Sequence, residues 1–235
     1  MATLPVRLRP QSHSALIIGF GGGNVVTAMP PAITTMDVIE LEPEIMAANR
    51  AMAAWRANDP LADARVRTIL NDARGALALS SKHYDIIVSQ PSHPWTAGAS
   101  HLYTREFMLQ AGEHLNPGGV FVQWMGAEFT DAPLLRALVA TLLSAYREVQ
   151  VYRPTASALL LLASATPLPA PPEQHAGLVM KTPEIQRFAA AGALITDNKN
   201  RFATDNVYQR GRGLSAAQLT TLLAPYRTVA ASTVK

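Results

Sequence analysis

Apolar residues in this chain come in short runs that end in polar or glycine-rich breaks, and the runs alternate with stretches of helical spacing. The first run, residues 15–18, stops in Gly19-Phe-Gly-Gly-Gly23 and resumes at Val25 and Val26. That pattern predicts a buried strand, a tight turn and a helix. Pro30 and Pro31 keep the helix brief. Residues 36–40 predict a second strand that ends in Glu40. Glu42-Pro43 opens a helix with Ile45, Met46, Asn49 and Met52 at helical spacing, closed by Asn58-Asp59-Pro60. Residues 65–70 alternate as a third strand and deliver Asn71, Asp72 and Ala73 to the edge already holding Gly19 and Glu40. Residues 84–89 are nearly all apolar, as in a parallel strand covered on both faces. A helix over 104–115 capped by Thr104, a stop at 116–119, a strand over 120–124 and a helix from Asp131 to Ala145 follow. Residues 149–152 and 158–163 read as a closing hairpin.

Strands alternating with helices and then a terminal hairpin predict an α/β fold. The expected form is a doubly wound, Rossmann-like sheet of about seven strands with a terminal antiparallel hairpin. The hairpin marks the S-adenosylmethionine methyltransferase type and not the all-parallel dinucleotide type. Ligands of such sheets lie outside the carboxyl ends of the strands. Residues 1–14 read as an N-terminal remnant, a linker or one edge strand, and residues 15–165 as the Rossmann-like nucleoside-binding domain. Residues 166–235 begin with a proline-rich linker over 166–172. They continue as an appendage with helices near 183–191 and 215–223, packed on the sheet domain.

Composition narrows the partners. A chain of 235 residues with 49% hydrophobic and 16% charged residues has enough apolar surface for one substantial core. The net charge of +3 is scattered arginine without a basic stripe between aromatics, so nucleic acid is not an expected partner. The absence of cysteine excludes disulfides, thiolate metal sites and a cysteine nucleophile. No apolar run reaches the ~18 to 20 residues of a membrane-spanning helix, and no signal-peptide core follows Arg7 and Arg9. A cytoplasmic chain that makes no membrane contact of its own is expected.

The candidate chemistry gathers at the predicted carboxyl edge. Gly19, Gly21, Gly22 and Gly23 let the backbone turn and a ligand approach. Glu40 stands 21 residues beyond Gly19, at the tip of the second strand, where a carboxylate accepts from both ribose hydroxyls of an adenosine-containing ligand. Glu42 flanks it one residue further on. Asp72, with Ala73 beside it, follows the third strand, where adenosylmethionine-type sites have an acid for the adenine amino group; an ordinary helix cap is the alternative. Residues 90–101 carry two prolines, Trp95, His93 and His101 directly after a buried strand. They predict either a rigid loop over the ligand or a structural lid whose histidines bond to backbone. His93 and His101 lack acids or cysteines at ligand spacing, so no metal is expected. Ser92 and Ser100 lack the Gly-x-Ser-x-Gly elbow of a hydrolase.

Ile17-Ile-Gly-Phe-Gly-Gly-Gly, Val38-Ile-Glu-Leu-Glu-Pro, Asn71-Asp-Ala-Arg74 and the stretch 84–107 with Leu-Tyr-Thr-Arg-Glu-Phe together resemble the spermidine synthase (polyamine aminopropyltransferase) family. The resemblance covers residues 15 to about 163 and is nearest to a bacterial branch often fused to membrane or repeat segments. It implies decarboxylated S-adenosylmethionine as aminopropyl donor, or S-adenosylmethionine itself, and a polyamine acceptor such as putrescine. Residues 19, 21, 22, 23, 40, 42, 72 and 73 would hold the nucleoside. The family's catalytic motif, acid-Ser-Ser-Asp-Pro, aligns with Gln90-Pro-Ser-His-Pro, which places Gln90 at the proton-accepting carboxylate and His93 at an acid that holds the acceptor. An amide has no useful basicity, and imidazole is the only titratable side chain left in the motif. The family's amino-terminal β-hairpin domain has no counterpart in residues 1–14, so a monomer or weak dimer is expected. The alternatives are an S-adenosylmethionine-dependent methyltransferase and a non-catalytic nucleoside-binding module.

Overall fold

The computed structural model describes residues 1–91, 93–96, 98–169 and 177–227. Five parallel strands build its centre: β1 (Ser14–Ile18), β2 (Thr35–Glu40), β3 (Val66–Leu70), β4 (Tyr84–Ser89) and β5 (Leu115–Gly126). The sheet continues antiparallel through β7 (Ala158–Ser164) and β6 (Glu148–Thr155), which form the expected hairpin. A further strand, β8 (Leu178–Met180), pairs with β6 and raises the count to eight, in the order β3-β2-β1-β4-β5-β7-β6-β8. At three residues β8 is too short to show alternation in sequence. The linker expected over 166–172 falls partly outside the described residues. Strand order runs outward in both directions from the β1–β4 pair, which opens a crevice above their carboxyl ends.

The helices follow the sequence punctuation. α1 (Thr3–Leu8) stands where a linker or edge strand was expected, and it buries Val6 and Leu8. α2 (Asn24–Thr27) ends ahead of Pro30 and Pro31 after four residues. α3 (Pro43–Met52), α4 (Ala73–Ala78), α5 (Arg105–Glu113) and α6 (Ala132–Ala145) complete the crossovers. Thr104 and Asp131 cap α5 and α6 by accepting from Phe107 N and Leu134 N. β5 begins at Leu115, earlier than the asparagine–proline–glycine stretch suggested, and absorbs the irregularity as a register shift opposite Tyr84 and Ile86.

Alternate strand residues feed two cores. Leu16, Ile18, Ile87, Phe121 and Leu161 share one with α5, α6 and the appendage. Ala15, Ile17, Val38, Val88 and Val122 share the other with α1, α2 and Met46 of α3. The appendage carries α7 (Glu184–Ala189), α8 (Arg201–Thr204) and α9 (Ala216–Leu223). It lies backbone against backbone on the sheet domain. A Cβ on Gly213 would collide with the Glu128 carbonyl oxygen, and one on Gly192 with that of Arg136. Leu214 N donates to the carbonyl oxygens of Ala127 and Thr130, each at 3.0 Å. Among the described residues no helix is long and apolar enough to cross a membrane.

Candidate functional site

The crevice holds a cavity of about 740 Å³ lined by the glycine turn, the ends of β2 and β3, and the loop after β4. The turn begins where Ile18 leaves the sheet. Gly19, Gly21 and Gly23 have φ of +88°, +52° and +75°, a conformation that a side chain strains. Gly22 is not in that region, and an added Cβ would meet only the Asn24 side chain at 3.8 Å. Its backbone lines the cavity together with Gly19 and Gly21, whereas Gly23 sits behind them against the Pro60 ring.

Glu40 is where β2 predicts it, and it is fixed before any ligand arrives. Oε2 accepts from Phe20 N at 2.9 Å; Oε1 accepts from Leu41 N at 2.8 Å and from Glu42 N at 3.0 Å. Three charge-assisted bonds to backbone set the rotamer of a carboxylate that is only 9% exposed. Each oxygen has further lone-pair capacity, and the carboxylate lines the cavity, so it can still accept from a vicinal diol. Glu42 lines the same side from the N-cap of α3. Asp72 is the helix cap that was raised as its alternative reading. Its Oδ2 caps α4 by accepting from Gly75 N at 2.8 Å, and the side chain lines the cavity beside Asn71 and buried Ala73.

One supporting residue was read in sequence only as part of a helical stripe. Asn49 is buried at 4% exposure and donates from Nδ2 to Gly21 O at 2.8 Å and to Ile45 O at 2.7 Å. Arg56 donates in turn to its Oδ1 at 2.8 Å. The visible signal was an amide where helical spacing called for an apolar residue.

Gln90 and His93 also line the cavity, with Pro91 and Trp124. Gln90 Nε2 donates to Gly19 O at 2.7 Å, which ties the loop after β4 to the glycine turn. The His93 side chain is exposed, and its ring stands 5.4 Å from Trp95 and 5.9 Å from Phe129. Thr96 closes the loop by donating its N and Oγ1 to His93 O at 3.0 and 2.8 Å. Ser92 lies outside the described residues.

His101 points elsewhere, with Nδ1 4.0 Å from Asp197 Oδ1. Asp197 also receives both guanidinium nitrogens of Arg74, at 2.7 and 2.8 Å, which hold its carboxyl below the usual range. Among the described residues no group of three His, Cys, Asp or Glu side chains could hold a metal ion. The arrangement therefore joins a carboxylate fixed by backbone, two further acids on the same lining, and one amide and one imidazole from the loop after β4.

Known proteins share the fold. A family model described as the spermine/spermidine synthase domain matches residues 1–159. The chain is 28% identical over 174 residues to the polyamine aminopropyltransferase of Mycobacterium tuberculosis (strain ATCC 25618 / H37Rv), covering 68% of this chain and 33% of that protein. It is 25% identical over 131 residues to that of Sodalis glossinidius (strain morsitans), covering 55% of this chain and 45% of the relative. The chain thus spans less than half the length of these two relatives. In fold it is similar to a spermidine synthase crystallised with the transition-state analogue AdoDATO, with a TM-score of 0.67, 16% identity, and coverage of 95% of this chain and 73% of that one. Human methyltransferase-like protein 13 in complex with SAH gives a TM-score of 0.53 at 18% identity, covering 97% and 89%. These structural likenesses speak for the Rossmann-like methyltransferase-type fold. The family model spans more than half of the sequence, and the chain belongs to the spermine/spermidine synthase domain family.

Proposed function

We propose that the chain is a transferase that binds an S-adenosyl sulfonium nucleoside and passes an alkyl group from its sulfur to an amine. The leading reaction is aminopropyl transfer from decarboxylated S-adenosylmethionine to a polyamine such as putrescine, in the cytoplasm. The observation that carries this reading is Glu40, a buried carboxylate fixed by three backbone N–H groups at the mouth of a glycine-lined cavity. Its free lone pairs suit the ribose hydroxyls, and Asp72 suits the adenine amino group. The amine lone pair forms the new C–N bond as the C–S bond breaks, and sulfur leaves as the neutral thioether of methylthioadenosine. The ammonium must first release a proton. Gln90 cannot take it, so His93 is the base of this reading. Methyl transfer from S-adenosylmethionine is the second reading. Asn24 and Gln90 are neutral lining residues, and neither would repel the methionine carboxylate.

The test is mass-spectrometric detection of products from each donor with putrescine, alongside calorimetry with methylthioadenosine. Slow spermidine formation that disappears in His93→Ala is expected. Glu40→Gln should weaken methylthioadenosine by about 2 kcal/mol, the loss typical of a charge-assisted hydrogen bond. Robust turnover in His93→Ala would move the base elsewhere. Tight NADH binding without methylthioadenosine binding would overturn the reading, and nucleoside binding without any turnover would favour a non-catalytic module.

A further inference from the structure

Most peptide groups of the glycine turn are set by partners in the turn or the strands beside it. Gly19 N donates to Ile39 O and Gly23 N to Phe20 O, each at 2.9 Å. Phe20 N is held by Glu40, and the Gly19 carbonyl by Gln90. The Gly21–Gly22 peptide is different. It joins two residues without side chains, both on the cavity lining, so its plane can turn over at little steric cost. What fixes it is the buried amide of Asn49 on α3, whose Nδ2 donates to Gly21 O at 2.8 Å and to Ile45 O at 2.7 Å. Arg56 decides which way that amide faces, because it donates to Asn49 Oδ1 at 2.8 Å. Reversing the amide would set Nδ2 against the guanidinium and Oδ1 against two carbonyl oxygens. In a planar trans peptide the N–H points opposite to the carbonyl. With Gly21 O drawn toward α3, the Gly22 N–H points away from α3.

We propose that Asn49, oriented by Arg56, is a positioning residue: it holds the Gly21–Gly22 peptide so that the Gly22 N–H is presented to a ribose oxygen of the bound nucleoside. The ligand half of the proposal rests on the nucleoside reading; the peptide half does not. Helical spacing along α3 calls for an apolar residue at this position, between Met46 and Met52. An apolar side chain would pack there, but it would release the Gly21 carbonyl to turn toward the water of the cavity. The lining would then face the oxygens of the ligand with an oxygen of its own, and the donor would be lost. Because the freed carbonyl can be satisfied by water, affinity and not stability is what the exchange should lower.

The experiment compares Asn49→Leu, Asn49→Asp and Arg56→Met with the native full chain. It uses calorimetry with methylthioadenosine, thermal unfolding, and amide spectra of chains carrying isotope-labelled glycine, with 14 glycines to resolve. Asn49→Leu is expected to weaken methylthioadenosine about fivefold, the loss of one neutral hydrogen bond, while the melting temperature moves by less than about 2 °C. Asn49→Asp keeps the shape and the Arg56 contact but sets an oxygen against Gly21 O, and it should lose at least as much affinity. Arg56→Met frees only the orientation of the amide and should cost about twofold. Methylthioadenosine should shift the Gly22 amide resonance of the native chain, and Asn49→Leu should shift it before any ligand is added. Unchanged affinity in both Asn49 variants, or a melting temperature that falls in step with affinity in both, would overturn the proposal. So would a Gly22 resonance that is the same in the free native and Asn49→Leu chains. If the native chain binds no methylthioadenosine, the nucleoside reading falls, and a Gly22 resonance that still moves in Asn49→Leu upholds the peptide half.

Discussion

Gln90 occupies the position where the family resemblance puts a proton-accepting carboxylate, yet its amide is already at work as a donor to Gly19 O at 2.7 Å. The side chain therefore braces the turn that shapes the cavity. Gln90→Glu would set a carboxylate oxygen against that carbonyl and remove the donor. It should weaken methylthioadenosine about tenfold, close to 1.4 kcal/mol, in a calorimetric titration. Gln90→Asp combined with His93→Asp puts carboxylates at the two positions where the family resemblance has acids. Putrescine turnover should rise in that variant while methylthioadenosine affinity falls, and an affinity that stays level would show the brace to be dispensable. Sequence placed Gln90 in the site and could not show this bond, because a glutamine's partner is set by which backbone the fold brings beside it. Glu40 is the converse case. Its position at a strand tip after a glycine turn was readable from spacing alone, while its three backbone donors were not.

Strands were legible where their apolar runs were long enough, and so were the caps at Thr104 and Asp131, each of which accepts from the first turn of its helix. Missed elements were short or depended on tertiary contact: α1, β8, and the register shift that lets β5 start at Leu115. At the end of the sheet away from the cavity, polar groups tie three strands together. Asp37 of β2 accepts from Arg67 of β3 at 2.8 and 2.6 Å, from Lys82 at 3.0 Å and from Tyr84 of β4 at 2.8 Å. Burial alone would raise the Asp37 carboxyl, but the hydrogen bonds from Arg67, Tyr84 and Lys82 outweigh it and hold it below its ordinary value. A carboxyl depressed in the folded state stabilises the fold fully above the ordinary carboxylate range, and that contribution is lost as pH falls through the depressed value. Asp37→Asn should cost about 1.5 kcal/mol at neutral pH, as for charge-assisted hydrogen bonds whose cationic partners stay solvated, and should flatten the loss of stability below about pH 4. Urea unfolding at pH 7 and pH 3 checks both; equal losses at the two pH values would show that the charge contributes nothing.

At the scale of the molecule, the appendage braces the loop that follows β4. Asn200, 8% exposed, donates to Ser100 O at 3.0 Å and accepts from Phe202 N and Ala203 N at 3.1 and 3.3 Å. Asn200→Ala leaves those groups without partners and should cost about 2 kcal/mol. Thermal unfolding would show the loss, and faster amide exchange over residues 98–104 would place it at the loop; unchanged exchange there would count against the brace. Sequence placed the appendage on the sheet domain without revealing that Tyr208 stacks on Trp95, since nothing local links positions 95 and 208. That contact also sets an order in time. The residues that line the cavity come no later than Leu102, with Trp124 the one exception. A ribosome adding about 5 to 20 residues per second reaches Tyr208 roughly 4 to 17 s after Trp124. The newborn chain thus holds every described residue that lines the cavity well before the ring that covers Trp95 exists.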